Sequence, residues 1–231
     1  MNYIIWNNKD SREIDGLLIC ELPPITKPQV RVKETVIDGV DGSIIEELGY
    51  ESYDKSIAVG LKVGANIDEI IEYFTGNGNI VFSNEPNKYY IARIINGIDY
   101  ERLLRYRVAR VTFRVQPFKY DNEEREINAN VEDRKVSIIN NGNHTAKPII
   151  TLEGAGVVDL SLNGTVICRY AFPNEGDTVI LDSEAQDAYW GGFLRNRNMV
   201  GEFLVLEKGV NTLSWDGTVT SLQIKRYSRW L

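Results

Sequence analysis

One histidine, two cysteines and 33 carboxylates bound the chemistry open to these 231 residues. A nucleophilic hydrolase pairs a Ser or Cys with a general base, which is usually histidine. The single candidate, His144, follows Asn140-Asn141-Gly142-Asn143 and precedes Lys147-Pro148, so it reads as a surface turn residue. A histidine metal cluster needs more than one histidine, and the acidic residues lack the spacing of a calcium loop. Cys20 and Cys168 have neither zinc-site spacing nor the density of a disulfide scaffold, so two reduced, buried thiols are expected. Glycoside hydrolysis needs only two carboxylates about 5 to 10 Å apart, but nothing in the sequence selects a pair. No glycine-rich phosphate loop is present. The expectation is a protein with no catalytic residues, no cofactor and no metal, and not an enzyme.

The sharpest charge feature is the series Arg102, Arg105, Arg107, Arg110 and Arg114. Arg110 and Arg114 share strand parity with Thr112 and Gln116, whereas Arg107 has the opposite parity unless a bulge intervenes. The series reads as a solvated strand face, or as a subunit interface where arginines pair with carboxylates in bidentate fashion. A net charge of -7 disfavours nucleic-acid binding. Tyr189, Trp190 and Trp215 are candidates for stacking on a sugar. Trp215 shares parity with Leu213 and reads as core before ligand, while Tyr189-Trp190-Gly191-Gly192 reads as a loop open to a glycan or a protein partner.

The elements that must position these groups are mostly strands. With 43% hydrophobic and 26% charged residues the chain can bury real cores. It has no apolar run long enough for membrane insertion and no signal-peptide stretch. Short β-branched and aromatic runs at 29–37, 56–63, 79–82, 89–94 and 105–116 predict strands, and Val111, Phe113 and Val115 alternate with polar neighbours. One short helix is predicted, capped by Asn66 with Glu69 three positions on, carrying Ile67, Ile70, Ile71 and Phe74 as a stripe and ended by Gly76 and Gly78. The charged stretch between Pro117 and Arg134 reads as a linker or strand edge, which places a domain boundary near 128. Beyond it, seven turn signals, among them Gly154 to Gly156, Asn163-Gly164, Gly191-Gly192 and Asp216-Gly217, predict about eight short strands in a β-sandwich or jelly roll.

The ordered series Val40-Asp41-Gly42-Ser43, Gly49-Tyr50, Tyr73-Phe74-Thr75-Gly76, Gly78 to Ser83, Pro86 to Ala92, and Val111 to Phe118 resembles the N-terminal domain of the distal tail proteins of long, non-contractile-tailed bacteriophages. The second half, in Leu162-Asn163-Gly164, Ile180 to Ser183 and Leu206 to Asn211, is similar to that family's C-terminal galectin-like β-sandwich. The resemblance implies a mainly β chain: an α+β or β-sandwich belt domain over 1–128 with one short helix, and a galectin-like sandwich over 129–231. It implies a virion protein, made and assembled in the host cytoplasm, that forms a ring, usually a hexamer, at the tail tip. Its implied partners are further copies of itself, the tail tube protein, a tail-associated lysin or tail fibre protein, and in some members receptor-binding proteins for host adsorption. The name galectin-like describes shape and transfers no ligand, which leaves a carbohydrate-binding module as the alternative. For the ring interface the expected residues are Arg110 and Arg114, with the Asp41-Gly42 turn second. For a glycan they are Tyr189, Trp190 and Trp215.

Overall fold

The computed structural model describes residues 1–39, 41–95, 105, 107–123 and 126–231. Two compact units divide the chain, Met1–Asn122 and Glu123–Trp230. The break precedes residue 128 because Ile127 and Asn128 pair with Ile224 and Gln223 of the second unit.

In the first unit the strands are β1 (Ile4–Trp6), β2 (Lys9–Asp10), β3 (Leu17–Glu21), β4 (Val30–Val36), β5 (Ser43–Tyr50), β6 (Tyr53–Leu61), β7 (Asn77–Phe82), β8 (Lys88–Ile94) and β9 (Val108–Asp121). One antiparallel sheet runs β2-β1-β7-β8-β9-β6-β3, and β4 and β5 form a sheet of their own. Alternation sets the inner face: Ile57 and Val59 of β6 and Val111, Phe113 and Val115 of β9 are all fully buried. Trp6, Phe82 and Phe113 meet edge to face among them. Helix α1 (Ile67–Tyr73) joins this core through Ile70, Tyr73 and Phe74. Asn66 caps it, its side-chain oxygen accepting from the Glu69 amide at 3.5 Å. Ile71, expected on the inner stripe, is 37% exposed, and Tyr73 takes the inner position instead.

Strand β9 does not stop at Pro117, where the sequence suggested a linker or a strand edge. It continues to Asp121, and Tyr120 and Lys119 pair with Tyr89 and Tyr90. The register slips between Tyr90 and Ala92, so Pro117 sits opposite an irregularity where its missing N–H costs no ladder bond.

The second unit contains β10 (Ile127–Asn128), β11 (Lys135–Asn140), β12 (Ile149–Leu162), β13 (Thr165–Ala171), β14 (Asp177–Asp182), β15 (Asp187–Trp190), β16 (Phe193–Leu194), β17 (Met199–Gly201) and β18 (Gly209–Lys225). The expected sandwich is present, but it is not built only from short strands. β12 and β18 run through both halves and pair with each other along most of their lengths. The first half of β12 pairs with β14, the second with β13; the first half of β18 pairs with β11, the end with β10. Gly154 to Gly156 and Asp216-Gly217 are therefore bends within strands rather than breaks, marked by register shifts in the ladder. A Cβ at Gly154 would lie 2.3 Å from the Thr218 carbonyl oxygen, and one at Gly217, where φ is +105°, would lie 2.3 Å from that of Val157. Close backbone approach excludes a side chain at both bends. Inward residues of both halves, including Ile150, Leu152, Leu160, Val179, Leu213 and Leu222, form one core.

Candidate functional site

The most unusual feature of the first unit is the β4–β5 hairpin. It is an excursion between β3 and β6, which pair directly with each other from Leu17↔Leu61 to Glu21↔Ala58. Almost every hairpin residue is exposed. The uncovered aliphatics Val32, Val36, Ile44, Ile45 and Leu48 range from 49% to 71% exposed. The register Val36↔Ser43, Glu34↔Ile45 and Val32↔Glu47 puts Val32, Val36 and Ile45 on one face, with Ile44 and Leu48 on the other. A two-stranded ribbon with both faces in water is marginal by itself, and this one exposes apolar side chains on each face. Contiguous apolar side chains left in water are the kind of surface that marks interaction sites. Asp41 and Gly42 stand in its terminal turn, with Gly42 at φ +89°. Val40 lies outside the described residues.

The hairpin is rooted in the unit at its base. Tyr50 packs edge to face on Phe118 of β9 with ring centroids 5.7 Å apart. Arg31, Tyr50, Glu51, Arg114 and Gln116 line an open polar groove beside that root. Arg110 and Arg114 project from the outer face of β9, opposite to buried Val111, Phe113 and Val115. Each meets a carboxylate on another strand of its own sheet, Arg110 on β3 and Arg114 on the adjacent β6. Arg110 lies 3.6 Å from Glu21, and Arg114 holds Asp54 in a fork, one arm at 3.2 Å. The hydrogen bonds that Arg114 donates to Asp54 raise its pKa. Arg107 precedes the strand at φ +59°, which removes it from the parity of the others, and Arg102 lies outside the described residues.

Beneath the hairpin root lies a buried polar cluster with no clear signal in the sequence. Lys55, on β6 at the parity of Ile57 and Val59, is 2% exposed. Its ammonium donates to the Pro24 carbonyl at 2.9 Å and lies 5.0 to 5.9 Å from the ring centroids of Tyr53, Phe82 and Tyr90. Glu85 accepts from the Tyr90 hydroxyl and from the Lys119 ammonium, both at 2.5 Å. Burial pulls the Lys55 pKa down to about 8; Glu85 opposes that shift and Lys119 adds to it. Burial also pushes the hydroxyls of Tyr73 and Tyr90 far up and that of Tyr53 to about 12.

These shifts fix the sign of a pH dependence. Between pH 8 and 10.5 the unfolded chain keeps a proton on Lys55 that the folded unit has released, so stability rises with pH. Above about pH 10 the unfolded tyrosines ionise while the buried ones do not, and stability falls. Denaturant unfolding of the first unit should show a gain on the order of 2 kcal/mol between pH 7 and 10, then a decline. A flat or falling profile from pH 7 to 10 would contradict it.

In the second unit the aromatic candidates separate. Trp215 is 5% exposed, pairs with Leu160 in the ladder and belongs to the core, so it is withdrawn as a glycan residue. Parity with buried Leu213 is the cause. Trp190 is 43% exposed and sits opposite Phe193 across the Gly191-Gly192 turn, where it is a strand end rather than the loop expected. Tyr189 is half-buried on the outer face. Ladder pairings place Gln223, Thr151, Ile180, Tyr189 and Leu194 in one row across five strands. A depression of about 170 Å3 lies over this row, bounded also by Tyr227 and by the Lys225–Glu126 ion pair at 2.7 Å. His144 stands in its turn, the ring Nδ1 3.2 Å from the Thr145 hydroxyl. Cys20, expected to be buried, is exposed near the end of β3, whereas Cys168 is buried and burial raises its thiol to about 12. Among the described residues no group of three or more His, Cys, Asp or Glu is placed to hold a metal ion.

No family model and no curated protein matches the sequence. Solved structures do resemble the fold. The Dit protein of phage SPP1, described as a paradigm of the hub adsorption apparatus of phages infecting Gram-positive bacteria, superposes with a TM-score of 0.69 at 15% identity, over 98% of this chain and 99% of that one. The baseplate of phage P2, in its activated conformation with Ca, contains a chain that matches with a TM-score of 0.51 at 10% identity over 100% of each. The mainly β fold of this chain is thus similar to that of the SPP1 protein along nearly its whole length, in keeping with the fold that the sequence resemblance implied.

Proposed function

We propose that this chain is a structural subunit of a phage tail hub, joining copies of itself into a ring, hexameric as is usual in the family it resembles. The ring connects the tail tube to the tail-tip apparatus. The observation that carries the reading is the match to a hub adsorption protein over 98% of this chain and 99% of that one. Such a protein acts by geometry and needs no catalytic step.

A closed ring requires head-to-tail contacts in which two different patches of one subunit are complementary. The first unit supplies such a pair. The hairpin presents aliphatics flanked by Glu34, Glu46 and Glu47, and the outer face of β9 presents Arg110 and Arg114 beside an open polar groove. In the proposed ring the hairpin of one subunit lies against that arginine face of the next, with Asp41 and Gly42 at the tip of the contact. The second unit is the peripheral, galectin-like sandwich. One face of the ring meets the tail tube protein; the other meets a tail-associated lysin or fibre protein, with any receptor-binding protein at the edge. The protein resides in the virion tail.

Light scattering on a sizing column should give a mass near six chains of 26.2 kDa, with ring-shaped particles in negative stain. A monomer at every concentration that also fails to join rings when mixed with tail tube protein would sink the reading.

A second reading attaches to the depression beside Tyr189. Aliphatic Ile149 and Ile180, two tyrosines, and the polar Thr151, Gln223, Lys225 and Glu126 combine an apolar surface with hydrogen-bonding groups, as a pyranose ring requires. Titration calorimetry with host cell-wall polysaccharide should then show binding that Tyr189→Ala removes and Trp190→Ala leaves in place. Absence of any heat with the parent protein eliminates this reading and leaves the ring untouched.

A further inference from the structure

We propose that Lys55 is the positioning residue of the assembly hairpin: from a buried site under the root, it holds the Pro24 carbonyl and so sets the angle at which the hairpin leaves the sheet. This rests on the ring reading only in giving the hairpin its purpose.

The segment 22–29 that leads into β4 has no regular secondary structure. Pro23, Pro24 and Pro28 lack N–H groups, so the segment is poor in backbone donors. Three of its carbonyls are held by side chains from the body of the unit. Asn84 donates to Pro23 at 3.0 Å, Lys55 to Pro24 at 2.9 Å, and the Tyr53 hydroxyl to Thr26 at 3.4 Å. Lys55 is the deepest of the three and the only one carrying charge. The groups facing it are Glu85 and Lys119, with the rings of Tyr53, Phe82 and Tyr90 around it.

Stability alone does not account for this arrangement. An ammonium withdrawn from water is costly, and an apolar side chain of similar length in the same space is often as stable or more so. Glu85 would not be stranded by the loss of Lys55, because Tyr90 and Lys119 both donate to it. What an apolar replacement cannot do is grip the Pro24 carbonyl. The hydrogen bond to Pro24, which the amine donates with or without its charge, therefore directs the chain rather than strengthening the fold.

The test compares Lys55→Met with its parent, in the full chain and in a background where Val32→Asp and Ile45→Asp keep the hairpin free of neighbours. Brief trypsin treatment reads the hairpin through cleavage after Arg31 and Lys33, normalised to an unstructured peptide at each pH. Lys55→Met should be cut at least tenfold faster there while its thermal unfolding is unchanged or higher. Because the gripped state binds fewer protons than the released one, parental protection should grow between pH 8 and 10, and Lys55→Met should be flat. In the full chain, Lys55→Met should also shift the ring towards smaller species at a given concentration. Equal cleavage rates and parallel pH profiles would overturn the proposal. So would faster cleavage that merely follows a lowered unfolding temperature, since that is a general loss of structure. If the grip behaves as stated but the parent never forms a ring, the inference about Lys55 stands and the ring reading fails.

Discussion

A chain carrying Val32→Asp together with Ile45→Asp should elute as a monomer at concentrations where the parent forms its ring. The two residues share one face of the β4–β5 hairpin, 52% and 62% exposed, with no core of their own to cover them. Burying a Val or Ile side chain contributes about 1.5 to 3 kcal/mol, which a carboxylate in the same place forfeits. The contact should thus weaken by roughly 4 kcal/mol or more, about a thousandfold in affinity per interface. In the isolated subunit the same positions face water, so unfolding should change by no more than about 0.5 kcal/mol. The combination of lost assembly and intact stability is the signature of an interface. Ile44→Asp with Leu48→Asp tests the opposite face, and Arg110→Glu with Arg114→Glu tests the surface assigned to receive the hairpin. Rings unaltered in all three would remove the first unit from the interface.

Gly217→Ala should be the most damaging small substitution in the second unit. The position combines φ of +105°, which side chains rarely adopt, with a carbonyl oxygen 2.3 Å from where the methyl would stand. The backbone of Val157 is fixed by ladder bonds on that strand, so it cannot move away without opening the bend of β12 against β18. Strain of about 1 to 3 kcal/mol and disruption of the crossing together put the cost at roughly 3 to 5 kcal/mol. For a unit of this size that lowers its unfolding temperature by about 15 °C. Gly156→Ala is the control: φ is +65°, but a Cβ there meets nothing within 4 Å, so only the strain of about 1 kcal/mol applies. Differential scanning calorimetry should show a transition lowered strongly by the first change and slightly by the second. Equal small effects would mean that the bend is not the tight crossing described.

The helix, its Asn66 cap, the half-buried strand around Phe113 and the sandwich class of the second unit could all be read from residue order, because each is written in short-range periodicity or in a local hydrogen bond. Strand β5 was harder to read. Its run Ser43-Ile44-Ile45-Glu46-Glu47-Leu48 lacks clean alternation because neither face meets a core. The glycine signals at 154–156 and 216–217 were visible but ambiguous, since a chain reversal and a bend inside a strand draw on the same positive-φ residues and differ only in what pairs beyond them.

Residue types and spacing alone determined that this is a mainly β protein with two cores, a single histidine and no glycine-rich phosphate-loop motif. They also brought forward Arg110 and Arg114, and the family resemblance added the Asp41-Gly42 turn. Long-range pairing decided the rest. It gave both arginines carboxylates within their own sheet, put Trp215 in the core, set Tyr189 over an open depression, buried Lys55 under a proline-rich segment, and left a hairpin with apolar residues in water. Periodicity tells a strand which of its faces differ. Only the neighbour that pairs with it, tens of residues away, decides whether a face meets a core, a carboxylate or nothing at all.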